Sequence, residues 1–382
     1  MPAWALWAAS VVFFLAALHP FTTYPASLLL IRRWKRAPAV GLARPDNGLS
    51  FAICFCAYNE ERVIRQKIEN LLGVKRIVPN LELLAYVDGA TDRTAEILAE
   101  YSGEITTHVS PERHGKTYGM NKLVALAKAQ IVVFTDANVM LDPDALDNLR
   151  RYFADPQVGC VCGHLIYVNS AQSATASTGS LFWRLEEWIK ARETETGSAM
   201  GADGSLFAIR RALHRPPPPH LIDDMYVSLS ILCDGYRVVR GPDVLAYEEA
   251  VTASREEFQR KIRIACQAFN VHRALWPRLK RLGALPLYEY LSHKLLRWLS
   301  VYNLLIAAVF CEAAFVASGA ARLGVALALA GALVLAAGCL RVKPFKELCE
   351  IFLALVATGI GVWRSCKGEH FRIWTPASSI RG

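Results

Sequence analysis

Charge is scarce in this chain. Asp, Glu, Lys and Arg make up 20% of its 382 residues, hydrophobic residues make up 53%, and the mean hydropathy is +0.23. That balance excludes a disordered protein. Clustered cysteine is also lacking: the 10 cysteines are spread over the whole length, which excludes a small disulfide scaffold. Cys54/Cys56 and Cys160/Cys162 have strand spacing and read as small buried residues, because zinc wants C-x₂₋₄-C pairs with further ligands. Unpaired thiols agree with a reducing cytoplasm. Between residues 40 and 297 no apolar run approaches the ~20 residues of a spanning helix, which excludes a polytopic channel. No G-x-G-x-x-G follows a strand, so a dinucleotide site is unsupported. His114-Gly115-Lys116-Thr117 imitates the end of a phosphate loop, but Ser110 stands where that loop needs its first glycine. A nucleotide held through carboxylates and a divalent ion fits better. No helix-turn-helix, zinc-finger or RNA-sheet signature is present, so no nucleic-acid partner is expected.

What is there is concentrated at the two ends. Residues 3–30 are apolar and long enough to span with a tilt or kink, and Arg32, Arg33, Lys35 and Arg36 follow directly. Such cations mark the cytoplasmic side, so the N-terminus is expected outside and the central region inside. A cleaved signal peptide fits poorly, since no basic region precedes the stretch and it is too long. Residues 299–318 and 323–340 form a second apolar pair, with Glu312 as one awkward charge, before Arg341, Lys343 and Lys346. Residues 348–363 are apolar but short and precede Arg364 and Lys367, which favours an interfacial or re-entrant helix over a span. Residues 276–298 mix Leu285, Leu287, Leu291, Leu295 and Leu296 with Arg278, Lys280, Arg281, Lys294 and Arg297. That pattern suits a helix lying on an anionic leaflet. The net charge of +9 is thus assigned to membrane lipid.

Between residues 50 and about 250 strands and helices alternate. Strands are expected at 51–57, 81–87 and 131–135, and helices at Glu60–Leu72, Asp92–Tyr101 and 116–129. Asp142-Pro143 reads as the N-cap and first residue of another helix. The alternation predicts an α/β fold, a mostly parallel sheet covered on both faces, with its ligand beyond the C-terminal strand ends. The residues there are Tyr58, Asn59, Glu60 and Glu61; Asp88, Gly89 and Asp92; and Asp136, Ala137 and Asn138. One Asp in such a place is an ordinary cap or turn residue. Three at one edge point to a polar ligand.

These residues resemble the family-2 glycosyltransferases of GT-A fold, in particular the membrane-bound branch with cellulose, hyaluronan and poly-N-acetylglucosamine synthases. Ala57-Tyr58-Asn59-Glu60-Glu61 resembles the first-strand signature that lines the nucleotide. Val87-Asp88-Gly89-Ala90-Thr91-Asp92 resembles the D-G-S-x-D turn, which implies that Asp88 meets the nucleobase. Gly115-Lys116 with Asn121 resembles the G-K-x-x-x-x-N segment near the nucleotide. Asp136-Ala137-Asn138 stands in the place of the D-x-D metal motif, with an amide for the second carboxylate. The resemblance implies a divalent cation, Mg²⁺ or Mn²⁺, on Asp136 and Asn138. Gly201-Ala202-Asp203-Gly204 resembles the acceptor-side segment. Asp223-Asp224 resembles the E-D motif, with Asp224 as the catalytic carboxylate and Asp223 beside the acceptor; read locally, the pair is two capping acids at a helix start. Arg260 and Arg263 stand where processive members carry Q-x-x-R-W and would meet the leaving diphosphate; read locally, they are one basic helix face. Trp374-Thr375-Pro376 resembles the W-x-P tail.

The implied protein is an inverting enzyme at the inner membrane. It would move sugar from a nucleotide-sugar donor, a UDP-sugar, to a lipid-linked or glycan acceptor. The alternative is a non-catalytic membrane protein that binds nucleotide sugars. Residues 1–31 are expected as the first membrane helix, 32–49 as a basic linker and 50–272 as the GT-A domain. Amphipathic helices follow at 273–298, two membrane helices at 299–341, and an apolar helix with the tail at 342–382.

Overall fold

β1 (Phe51–Ala57) is buried along its whole length, as its apolar run requires. It lies at the centre of the computed structural model, which describes residues 1–41, 48–78, 80–168, 174–249 and 254–373. The Trp374-Thr375-Pro376 segment lies outside the described residues. The other strands are β2 (Glu82–Asp88), β3 (Thr106–Ser110), β4 (Ile131–Asp136), β5 (Met140–Leu141), β6 (Val158–Tyr167), β7 (Leu206–Arg210) and β8 (Arg237–Glu248). They form one eight-stranded sheet in the order β3-β2-β1-β4-β7-β6-β8-β5. The β3, β2, β1 and β4 half is parallel, while β7 runs antiparallel to both β4 and β6. The sheet is therefore mixed. β3 was not expected, because its TTHVS sequence is largely exposed and lacks an apolar run.

The helices in chain order are α1 (Ala3–Leu18), α2 (Thr23–Trp34), α3 (Ile64–Ile77), α4 (Thr94–Ala99), α5 (Lys116–Leu126), α6 (Ala145–Phe153), α7 (Ala174–Thr196), α8 (Asp223–Cys233) and α9 (Ser254–Leu279). Then come α10 (Ala284–Tyr290), a π-helical turn Leu291–Leu295, α11 (Leu296–Trp298), α12 (Ser300–Ala317), α13 (Ala321–Cys339) and α14 (Phe345–Cys366). Apolar cores lie on both faces of the sheet. Phe51, Ile53 and Phe55 point to one face, and Cys54, Cys56, Cys160 and Cys162 pack in the other.

α3 starts four residues later than expected. Asn59 is held at φ +52°, the Glu60 amide donates to Thr94 Oγ1 (2.8 Å) and the Glu61 amide to Asp92 Oδ2 (3.0 Å). Those bonds keep the signature residues in a loop. Likewise Asp142 does not cap α6 directly. Its carboxylate accepts the Asp144 amide and the Tyr247 hydroxyl, each at 3.0 Å, and the helix begins at Ala145.

Among the described residues, three helices are long and apolar enough to cross a membrane: Ala3–Phe21, Ser300–Ala317 and Ala321–Cys339. α1 packs on α12 through Trp7 against Phe315, Phe13 against Phe310, and a Ser10 hydroxyl bond to the Ala307 carbonyl. The amphipathic reading of 276–298 needs correction. Lys294 and Arg297 do not face lipid; both bind the buried carboxylate of Glu186 on α7, which also accepts from His293. A buried carboxylate needs such partners.

α14 docks along α9. A Cβ at Gly361 would lie 2.5 Å from the Ile262 carbonyl and 2.6 Å from the Ala265 methyl, so only glycine permits the approach. The chain then follows α9, with Gln267 Nε2 donating to the Phe371 carbonyl (2.9 Å) and Asn270 Nδ2 to that of Glu369 (3.0 Å).

Candidate active site

The C-terminal ends of β1, β2 and β4 open on one edge, and the start of α8 closes the space from the antiparallel half. Lys116, the first residue of α5, stands at the centre. Its ammonium donates to Asp136 Oδ1 at 2.6 Å, at the end of β4. Burial disfavours its charge, but Asp136, Asp223 and Asp224 outweigh this and hold it protonated well above the usual lysine range. Gly204 supplies the room. A Cβ there would lie 2.9 Å from Asp224 Oδ2 and 3.3 Å from Lys116 Nζ.

Asp224 is the second residue of α8. Its Oδ1 accepts the Met225 amide at 2.5 Å, and Oδ2 faces Gly204. Burial, then the adjacent Asp223, push its carboxyl up to about 7, with Lys116 pulling the other way. This is the condition of a base that holds or releases a proton near neutrality. Asp223 is buried, and its Oδ2 has no hydrogen-bond partner among the described residues.

Asp88 is fully buried and holds the loop before α5. Oδ1 accepts the His114 amide (2.7 Å), and both oxygens accept the Gly115 amide (3.1 Å each). Arg113 approaches it at 3.8 Å and lies over the Tyr58 ring, 3.5 Å from its centre. Gly115 has φ +94°, and a side chain there would overlap the Arg372 carbonyl of the C-terminal segment. The Asn59 amide oxygen accepts the Thr91 amide at 2.8 Å, which ties the first signature to the second. Glu60 is buried beneath them, and Ala57 is enclosed.

Asn121 points away from this space. Its Nδ2 donates to the Pro217 carbonyl (2.8 Å), while Thr117 Oγ1 donates to that of Leu221 (2.7 Å). α5 thereby fixes the segment leading into Asp223 and Asp224. Asp203 is bound by Lys190, a buried α7 residue that also meets Glu187. Gly201 sits at φ +107°, and the following Ala202 amide donates to Ser228 Oγ on α8 (2.9 Å).

Asn138 donates through Nδ2 to Glu248 Oε1 at 2.9 Å, at the end of β8. Arg263 and Arg260 sit one turn apart on α9. Burial, then Arg260, lower the basicity of Arg263, with Asp136 opposing. For Arg260, burial is outweighed by its bonds to Glu257, with Tyr167 and Glu248 adding to them. Among the described residues no three His, Cys, Asp or Glu side chains gather as a metal cage. Asp136, Asn138 and Glu248 are nonetheless oxygen donors, the set that a hard dication takes when phosphate oxygens complete its shell.

Sequence reasoning missed Lys67, Thr117, Lys190 and Glu248. Lys67 lies inside an ordinary amphipathic helix, yet its buried ammonium donates to the Val139 carbonyl (2.5 Å) and Thr135 Oγ1 (3.3 Å), pinning the turn after Asp136 from beneath. The one available signal was Glu248 and Glu249 closing an apolar strand.

The chain is similar to known proteins. The glycosyl transferase family 2 model matches residues 52–215. The O-antigen chain rhamnosyltransferase RfbN of Salmonella typhimurium is 22% identical over 189 residues, 47% of this chain and 60% of that protein. The beta-monoglucosyldiacylglycerol synthase of Nostoc sp. is 24% identical over 165 residues, 42% of this chain and 35% of that one. The poly-beta-1,6-N-acetyl-D-glucosamine synthase of Staphylococcus aureus is 23% identical over 205 residues, 51% of this chain and 48% of the synthase. The chain thus spans less than two thirds of the length of these relatives. Among solved structures, the mannosyltransferase PcManGT from Pyrobaculum calidifontis, in complex with GDP-Man and Mn²⁺, superposes with a TM-score of 0.72. It is 22% identical and covers 94% of this chain and 99% of its own. With strand order, signature loops and carboxylates in these places, the fold is the Rossmann-like GT-A fold, and the chain carries a glycosyl transferase family 2 domain.

Proposed function

We propose that this protein is an inverting glycosyltransferase that moves a sugar from a nucleoside-diphosphate sugar, a UDP-sugar, to a lipid-linked or polysaccharide acceptor at the inner face of the cell membrane. The observation that carries the reading is Asp224 facing Lys116 and Asp136 across Gly204. An acceptor hydroxyl has a pKa far above 7. Asp224 takes its proton as the new bond forms, worth roughly 10²–10⁴-fold in rate. The hydroxyl attacks in line from the face opposite the diphosphate, so one displacement inverts the anomeric centre. Lys116, Arg260 and Arg263 meet the charge of the departing diphosphate. Asp136, with Asn138 beside it, would hold a Mg²⁺ or Mn²⁺ ion, which when bound neutralises that charge further. Tyr58, Asn59, Glu60 and Asp88 shape the donor side; Gly201, Asp203 and Asp223 border the acceptor side.

The cations after the first apolar helix favour an N-terminus outside and a catalytic domain in the cytoplasm. The three candidate spans among the described residues are few for a private translocation channel, which favours a lipid-linked acceptor or short extension. The test is a panel of UDP- and GDP-sugars offered to detergent-purified protein with Mn²⁺ or Mg²⁺, reading binding and donor hydrolysis. Metal-dependent turnover of a UDP-sugar is expected. Binding without turnover in any condition, with or without polyprenyl-phosphate and glycan acceptors, would select the non-catalytic binding protein instead.

A further inference from the structure

The D-x-D position of this chain is one carboxylate short, and the fold places another there. Val139 N closes a tight turn onto the Asp136 carbonyl (3.3 Å), and Lys67 grips the same turn from below. β5 follows at once and pairs antiparallel with the end of β8, Met140 opposite Tyr247 and Leu141 opposite Ala246. That register brings the last residue of β8, Glu248, beside Asn138, and the 2.9 Å bond between them fixes the carboxylate.

We propose that Glu248 supplies the second anionic ligand of the divalent-cation site, and that Asn138 is a positioning residue that holds Glu248 rather than a ligand itself. This rests on the glycosyltransferase reading above. Two carboxylates with phosphate oxygens completing the shell is the pattern by which Mg²⁺ binds with nucleotides. The negative charge missing from Asp136-Ala137-Asn138 thus comes from a residue 110 positions later in the chain.

The test uses the full-length protein in detergent, with Mn²⁺ as probe in the presence of UDP and, separately, GDP. Calorimetry reads affinity and electron paramagnetic resonance counts bound Mn²⁺. Glu248→Gln keeps the acceptor for Asn138 and removes the charge; Mn²⁺ affinity is expected to fall at least about tenfold, as for groups that hold a metal site together. Asn138→Asp sets two carboxylates side by side, so this variant should have a lower apo melting temperature than wild type and a larger rise on adding Mn²⁺. The double variant Glu248→Gln with Asn138→Asp should regain affinity to within about threefold of wild type, which also shows that the fold survives. Unchanged Mn²⁺ affinity in Glu248→Gln, or a double variant as weak as the single one, overturns the Glu248 assignment. Wild-type protein that binds no Mn²⁺ with either nucleotide overturns the metal-dependent reading beneath it.

Discussion

Replacing Asp224 by Asn keeps the shape of the side chain and removes only its ability to take a proton. The carboxyl sits at about 7, raised from 3.8 first by burial and then by Asp223, with Lys116 opposing and Asp136 adding to the rise. Two consequences follow. Turnover of wild-type protein should climb through pH 6 to 8, because one pH unit below about 7 only roughly a tenth of the base is ionised. In Asp224→Asn turnover should fall by at least ~10² above pH 7, where the wild-type base is ionised, with UDP affinity nearly unchanged. The second consequence concerns stability. A carboxyl whose folded value lies above its unfolded value disfavours its ionised form in the fold. The penalty is absent below pH 3.8, grows between 3.8 and about 7, and is complete above that. The full rise corresponds to at most about 4 kcal/mol. Asp224 is half-buried, so solvent screening reduces this to ~2 kcal/mol. Asp224→Asn should therefore melt several degrees higher than wild type at pH 8 and equally at pH 4. Differential scanning fluorimetry across pH, initial rates and calorimetry with UDP make the measurement, with Asp223→Asn as the adjacent control. Normal turnover in Asp224→Asn, or an acid limb near pH 4 in wild type, would refute the reasoning.

Lys116→Met removes the cation that opposes the rise of Asp224, so the acid limb of the pH–rate profile should move above 7 while UDP affinity weakens; an unmoved limb in rate measurements would separate the two residues. Asp88→Asn loses charge-assisted bonds from the His114 and Gly115 amides and should cost about 1.5–3 kcal/mol, read as a lower melting temperature. Gly361→Leu drives a side chain into the Ile262 carbonyl. It should cost about 1–3 kcal/mol in thermal stability and reduce UDP affinity, because Ile262 neighbours Arg263.

The parallel half of the sheet was legible because β1, β2 and β4 are short apolar runs, each followed by polar residues at one edge. Asp136, Lys116 and Asp224 converge because each begins or ends an element whose type the local pattern reveals. The other half, in which β7 is antiparallel to β6 and β8 parallel to it, left weaker traces, since β6, β7 and β8 obtain their burial from one another. Partners distant in sequence were invisible for the same reason. Nothing around Glu186 announces Arg297, 111 residues on; nothing around Asp203 announces Lys190; and nothing around Asn138 announces Glu248. Asp88 shows a subtler gap. Its motif is plain in the sequence, but only coordinates reveal that backbone amides occupy its oxygens. The cations at 294 and 297 show the reverse error, since a basic helix looks the same whether its partners are lipid or a buried carboxylate.

The seam between α9 and α14 bears on how this protein divides into parts. The family model ends at residue 215, yet Asp224, Glu248, Arg260 and Arg263 all lie beyond it. The helix that carries the two arginines is covered on its far side by Gly361 and its neighbours. A fragment cut before α14 would uncover that side of α9 and leave the Gln267 and Asn270 side-chain amides without the Phe371 and Glu369 carbonyls to which they donate. The soluble-looking domain and the apolar C-terminal helices are therefore not independent modules. Excision for crystallisation, or transplantation of the catalytic half onto another anchor, has to carry α14 with it.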